Sequence, residues 1–310
     1  MRRRSMDVWP VWIALLVGAV LVLYALDLGE NELQPKITLS ADHIRPGEFF
    51  LLQVDPLASD LSLQIACPFL DEEPRFFRYG QGVVALIPVD YRTRPGDYGL
   101  EAEIVRGGQI VHRLEQGVTV SARDFAIQKL YVSAELLSHR DETMWAEDRV
   151  HTDAARARSN SDPLWEGLFQ PALTGRITTQ FGQIRLINDQ ESGRHSGLDI
   201  AAPRGTEVAA SNNGEVVLAR FLHVTGNTVI LDHGWNLFSS YSHLDRIEVR
   251  VGQAVVKDQT IGTVGSTGFS TGPHLHWAVS IGTTFVDPEF VLGEALPWSS
   301  WMEQEDVAQR

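Results

Sequence analysis

The chain has 310 residues, 40 acidic against 26 basic side chains for a formal charge of −14, and a single cysteine. That length accommodates two domains with a core each, and the acidic balance excludes non-specific nucleic-acid binding, which needs clustered cations against phosphate. Cys67 alone can form neither an intrachain disulfide nor a multi-cysteine zinc site, so any metal must rest on His and carboxylates; it reads as a small buried apolar residue.

Residues 1–7 carry three arginines and precede an uncharged run, 8–26, rich in Leu, Val, Ala and Trp. Its length suits a single bilayer-spanning helix, and the arginines place the N-terminus in the cytoplasm. Tyr24-Ala25-Leu26-Asp27 lacks a small-x-small cleavage pattern, which favours an uncleaved anchor. The expectation is a single-pass protein of the bacterial inner (cytoplasmic) membrane with everything beyond Asp27 extracytoplasmic. Over 27–124, short apolar or alternating runs such as Phe49-Phe-Leu-Leu-Gln-Val, Gly82-Val-Val-Ala-Leu-Ile and Tyr98-Gly-Leu-Glu-Ala-Glu-Ile-Val alternate with turn signals (Arg45-Pro46-Gly47, Arg94-Pro95-Gly96, Gly107-Gly108). This pattern predicts a β-sandwich spacer, immunoglobulin-like in kind, with a surface that could contact an envelope protein partner. Residues 125–170 are poorer in Gly and Pro, with apolar residues at helical intervals, and predict a helical connector. From 171 to 295 glycine returns with β-type runs, predicting a second, antiparallel β domain; 296–310 reads as a C-terminal tail. The predicted class is therefore mainly β, with an N-terminal transmembrane helix, a sandwich spacer, a helical connector and an antiparallel β domain.

Six of the ten histidines lie between 195 and 276. In His195-Ser-Gly-Leu-Asp199 the glycine disfavours a helix, and on extended chain positions four apart share a face, so imidazole and carboxylate can converge. His274-Leu-His276 places two imidazoles on one face of a strand. Catalytic zinc takes about three N or O ligands and keeps one position open for water. Any three of these four side chains meet that count. Taken singly each cluster is weak, because histidine pairs on strands are commonly surface residues.

The clusters sit inside a longer pattern: Gly175-Arg-Ile-Thr-Thr-Gln-Phe-Gly182, His195-Ser-Gly-Leu-Asp-Ile-Ala-Ala-Pro-Arg-Gly-Thr206, Tyr241-Ser-His-Leu244, Gly262-Thr-Val-Gly-Ser-Thr-Gly-Phe-Ser-Thr-Gly-Pro-His-Leu-His-Trp277 and Val286-Asp-Pro288. From about Gly175 to Pro288 the chain resembles the M23 family of metallopeptidases, the lysostaphin and LytM-like group. The resemblance implies that His195, Asp199 and His276 bind Zn2+ and that His243 and His274 are catalytic, in an endopeptidase that hydrolyses stem or cross-link peptides of peptidoglycan through a metal-activated water. All five positions are filled, which favours an enzyme over the alternative, a non-catalytic LytM-like envelope scaffold or activator of other wall hydrolases.

Other signals lose. Gly268-Phe-Ser-Thr-Gly272 has the spacing of a nucleophile elbow but is followed by Pro273 and a β-type run rather than a helix; it reads as a glycine-rich loop shaping the groove. Asp232-His233-Gly234 reads as a hairpin turn, and His223 as a loop residue. The aromatics Trp235, Phe238, Tyr241 and Trp277 could line a groove, with core packing the default.

Overall fold

The computed structural model describes residues 34–133 and 142–293. The chain is mainly β. Its first half forms two four-stranded sheets. One runs in the order β1 (Lys36–Leu39), β3 (Phe49–Asp55), β6 (Gly82–Pro88), β5 (Phe77–Tyr79); the other runs β2 (His43–Ile44), β8 (Gln109–Val120), β7 (Gly96–Arg106), β4 (Ser62–Ala66). Between them lies a core that includes Phe50, Leu52, Val54, Val83, Ala85, Ile87, Leu100, Ala102 and Ile104.

β3 is buried on both faces, as its unbroken apolar run Phe49-Phe-Leu-Leu requires. The even positions, Phe50 and Leu52, enter the sandwich core. The odd ones, Phe49 and Leu51, join Val84 and Leu86 in a second core with Trp165, Trp235 and Val291 from the C-terminal half. Phe49 meets Phe290 edge-on with ring centroids 5.0 Å apart, and Tyr79 meets Trp235 likewise at 5.3 Å. The first two sheets are thus packed against the C-terminal half rather than held away from it as a spacer, and the outer face of the first sheet is occupied from within the chain.

The C-terminal half is built on a ten-stranded antiparallel sheet. Its main path is β10 (Arg176–Thr179), β13 (Leu198–Ala201), β20 (His274–Ile281), β17 (Leu237–Ile247), β16 (Gly226–Asp232), β15 (Gly214–Leu222) and β18 (Ala254–Val255). β14 (Glu207–Ala209) pairs with β19 (Thr260–Val264), which also pairs with β17, while β21 (Thr284–Val286) pairs with β20 and leads into a short helix, α2 (Pro288–Leu292). Asp287 caps that helix, accepting from Glu289 N–H at 3.0 Å, and receives the guanidinium of Arg123.

Two expectations are corrected. The helical connector over 125–170 holds one helix, α1 (Glu142–Arg156). Before it, Ile127–Leu130 is a strand, β9, lying parallel to β11 (Ile184–Ile187) in a three-stranded sheet completed by β12 (Gln190–Arg194). The apolar ends of Ile127-Gln-Lys-Leu130 suit a helix turn as well as a strand; an edge some 57 residues further along the sequence decides between them. The second correction concerns the membrane. Among the described residues no helix is long and apolar enough to cross a bilayer. The longest, α1, has 15 residues, about 22 Å at the helical rise and short of the roughly 30 Å hydrocarbon core. The transmembrane helix placed at 8–26, on which the single-pass inner-membrane location rested, falls outside the described residues, and that location is without structural support.

One buried histidine makes the fold sensitive to acid. His233 is fully enclosed, its Nδ1 2.6 Å from the Asn213 carbonyl and its Nε2 2.7 Å from Ser239 Oγ. Burial, partly offset by the Asn213 carbonyl and nearby Asp232, pushes it from 6.5 down to about 4. Between those values the unfolded chain binds the extra proton, so stability falls as pH drops through the window, by about 3 kcal/mol from this group alone. His233→Gln is expected to be less stable at neutral pH yet to lose correspondingly less between pH 6.5 and 4, measured by urea denaturation across a pH series.

Candidate metal and catalytic site

Strand register assembles the site. β13 pairs with β20 so that Asp199 stands directly opposite His276 and Ala201 opposite His274. β17, on the other side of β20, sets Ser242 opposite His276, with His243 next along the chain. His195 enters from the turn between β12 and β13. Gly197 lets that turn pass against β20: a Cβ there would lie 2.3 Å from the Trp277 carbonyl oxygen.

Three donor atoms converge. His195 Nε2 and His276 Nδ1 each lie 2.9 Å from Asp199 Oδ1 and 3.0 Å from one another. His195 Nδ1 is 3.0 Å from the Gln180 carbonyl, which can only accept, so Nδ1 carries the proton and Nε2 presents a lone pair. A lone pair and a carboxylate oxygen, both acceptors, then face each other in a site where His195 is 3% exposed. Such a confrontation needs a shared proton or metal ion. Two imidazoles and one carboxylate, with all donor atoms within 4.8 Å, form a donor set that fits a metal ion of the zinc kind.

Asp199 is held ionised: burial alone would raise its pKa, but hydrogen bonds and charge from His195 and His276 bring it far below the ordinary carboxylate range. His276 is pushed down to about 4, chiefly by burial. Arg185, on β11, reaches within 3.8 Å of Asp199 Oδ2 and donates from Nε to Gln128 Oε1 at 3.1 Å.

The other two histidines lie alongside. The rings of His243 and His274 are 4.7 Å apart, and His274 Nε2 is 3.7 Å from Asp199 Oδ1. Each is oriented through Nδ1 by a backbone carbonyl at 2.8 Å, Thr267 for His243 and Gly272 for His274, which leaves Nε2 as the acceptor. His243 adopts φ +61°, a left-handed conformation unusual for a side chain of this size and of the kind that collects at working sites. Burial, then the neighbouring His274 and His276, lower it to about 3, so it is neutral at ordinary pH.

The glycine-rich loop 268–272 forms one rim of a groove of about 390 Å³ above these residues; His274 and His276, Arg185 and Arg194, and Trp145 of α1 line it too. Gly268, at φ +73°, packs so closely on the Val224–Gly226 backbone that a Cβ would lie 2.4 Å from Gly226 N. The aromatics Trp235, Phe238, Tyr241 and Trp277 are all buried in the core. His223 sits on the loop after β15, 3.3 Å from Glu147 of α1. Sequence reasoning missed Arg185, Gln128 and Trp145. They come from β9, β11 and α1, outside the histidine pattern, and no spacing ties them to it.

Comparison with known proteins points to the same part of the chain. Residues 193–288 match the model of peptidase family M23. The chain is 32% identical over 163 residues to the peptidoglycan DD-endopeptidase ShyA of Vibrio cholerae, covering 52% of this chain and 37% of that one. It is 38% identical over 140 residues to the DD-carboxypeptidase/endopeptidase Mpg of Neisseria meningitidis, covering 45% of this chain and 31% of that protein. A crystal structure of a putative M23 peptidase from Pseudomonas aeruginosa superposes with a TM-score of 0.54 at 28% identity, over 77% of this chain and 96% of the other. The chain therefore carries a domain of peptidase family M23. The alignments span about a third of the length of the curated relatives.

A buried carboxylate helps to fasten helix α1 to the groove. Asp148 accepts from the amides of His223 and Val224, both at 2.8 Å. Removing it leaves two amides without their charged acceptor. Asp148→Ala is expected to cost about 2–4 kcal/mol of stability in chemical denaturation and to raise amide-exchange rates across α1.

Proposed function

We propose that the chain is a zinc-dependent endopeptidase that hydrolyses peptide bonds in the stem or cross-link peptides of peptidoglycan. The observation that carries this reading is the convergence of His195, Asp199 and His276 on a single point at the floor of an open groove, with two further oriented imidazoles beside it. The wall-peptide substrate is supported by the relatives, a peptidoglycan DD-endopeptidase and a DD-carboxypeptidase/endopeptidase.

In this reading His195, Asp199 and His276 would hold the zinc. When bound, zinc would supply Lewis-acid polarisation of a peptide carbonyl and acidify a water at neutral pH. His243 and His274 do the proton work. With Nδ1–H fixed on the Thr267 and Gly272 carbonyls, each is left with Nε2 as its acceptor nitrogen on the groove. One such nitrogen can take the proton of the attacking water and return it to the leaving amine, and a protonated ring can hydrogen-bond the tetrahedral oxyanion. Arg185, 3.8 Å from the second oxygen of Asp199, partly balances its charge.

Mass spectrometry of purified peptidoglycan digested with the zinc-loaded chain is expected to reveal new free amino ends that disappear on chelation. His276→Ala is expected to lose both the metal, by elemental emission, and the products. His243→Ala and His274→Ala are expected to keep the metal while the rate falls by roughly 10²–10⁴. A zinc-loaded wild-type chain that leaves peptidoglycan intact would sink the proposal in favour of a scaffold role.

A further inference from the structure

Helix α1 carries a cation that the fold does not neutralise. Arg156, the last residue of α1, is 6% exposed. Among the described residues its guanidinium makes one hydrogen bond, Nη2 to Ser240 Oγ at 2.9 Å, while Nε is buried without a partner. It lies 5.4 Å from the centroid of the Phe285 ring. Burial brings its pKa down to about 10, countered only by Asp153, which is exposed one turn back on the same helix. A buried charge with no ion-pair partner is strongly unfavourable unless something supplies the missing counter-charge.

The place for that counter-charge is adjacent. A cavity of about 450 Å³ lies between α1 and the main sheet, lined by Arg156, Ser240, Phe285, Trp145, Asp148 and the metal-site residue His276. Asp148 is committed to two backbone amides. The other carboxylates on the lining, Glu72 and Asp153, belong to exposed residues, where water and salt screen them. The sheet register fixes the distance to the chemistry. Ser240 pairs with Ala278 and Ser242 with His276, so the residue that holds Arg156 is one side-chain repeat along the same face from the metal site, about 7 Å.

We propose that this cavity is a carboxylate subsite of the peptidase groove, in which Arg156 receives a free carboxylate of the peptide substrate about two residues of extended chain from the cut bond. The inference rests on the peptidase reading for its substrate. Arg156 here acts in specificity: it selects peptides ending in, or branching to, a carboxylate at that distance, and a guanidinium offers the two parallel N–H groups that a carboxylate matches.

The test needs no turnover. Dissociation constants for N-acetyl-D-alanyl-D-alanine and for its C-terminal carboxamide are measured by chemical-shift titration on the metal-free full-length chain and on Arg156→Met. The wild-type chain is expected to prefer the carboxylate at least tenfold. Arg156→Met is expected to bind both probes equally, at the carboxamide's level, and to melt at a higher temperature because the unpaired buried charge is gone. Equal binding of the two probes by the wild-type chain, or a preference that survives in Arg156→Met, overturns the proposal. Because binding is read without metal, a failure of hydrolysis by the loaded chain would count against the peptidase reading and leave this result standing.

Discussion

Everything in the site depends on one confrontation of like with like: a lone pair of His195 facing an oxygen of Asp199 at 2.9 Å, with a nitrogen of His276 at the same distance from that oxygen. Left without a cation, such a cluster would spread apart. It is held together from outside, by the Gln180 carbonyl behind His195, by the cross-strand register that fixes Asp199 against His276, and by Arg185 on the carboxylate's other oxygen. The β-sheet gives this arrangement its rigidity, since a one-residue slip between β13 and β20 would turn Asp199 and His276 to opposite faces. Outer contacts of this kind fix the orientation of the three side chains before anything binds them.

The surroundings divide the labour by depth. His195 and His276 are tied to the carboxylate, whereas His243 and His274 are tied to main-chain carbonyls of the glycine-rich loop. The pairs are thereby set apart by contact rather than by side-chain chemistry: the first spends a ring nitrogen on Asp199, and within it His195 also rests on a main-chain carbonyl, that of Gln180. The left-handed backbone at His243 is the strain that this placement carries.

How much was legible in the sequence depends on how local each feature is. The β character of both halves showed in the alternation of short runs with turns, and the five histidine and aspartate positions stood in one recognisable pattern. The reach of β9 to β11, and of α1 across the groove, did not show. Ile127-Gln-Lys-Leu130 has the apolar spacing of a helix turn and becomes a strand through an edge far along the chain. Arg156 reads as an ordinary basic residue at a helix end, where a positive charge suits the helix dipole, and only packing against Ser240 and Phe285 reveals that it is buried. Phe49 and Leu51 were more informative than they first looked. An unbroken apolar run in place of alternation signals a strand covered on both sides, and the second cover turned out to be the M23 domain.

That two-sided strand has a consequence for how the chain can be divided. Phe49, Leu51, Val84 and Leu86 belong to the same core as Trp165, Trp235 and Val291. Cutting between the halves would bare a matching apolar face on each fragment, of the sort that drives aggregation. The two halves are therefore packed as one unit: a foreign module in place of the first sheets would have to supply a replacement for those four side chains.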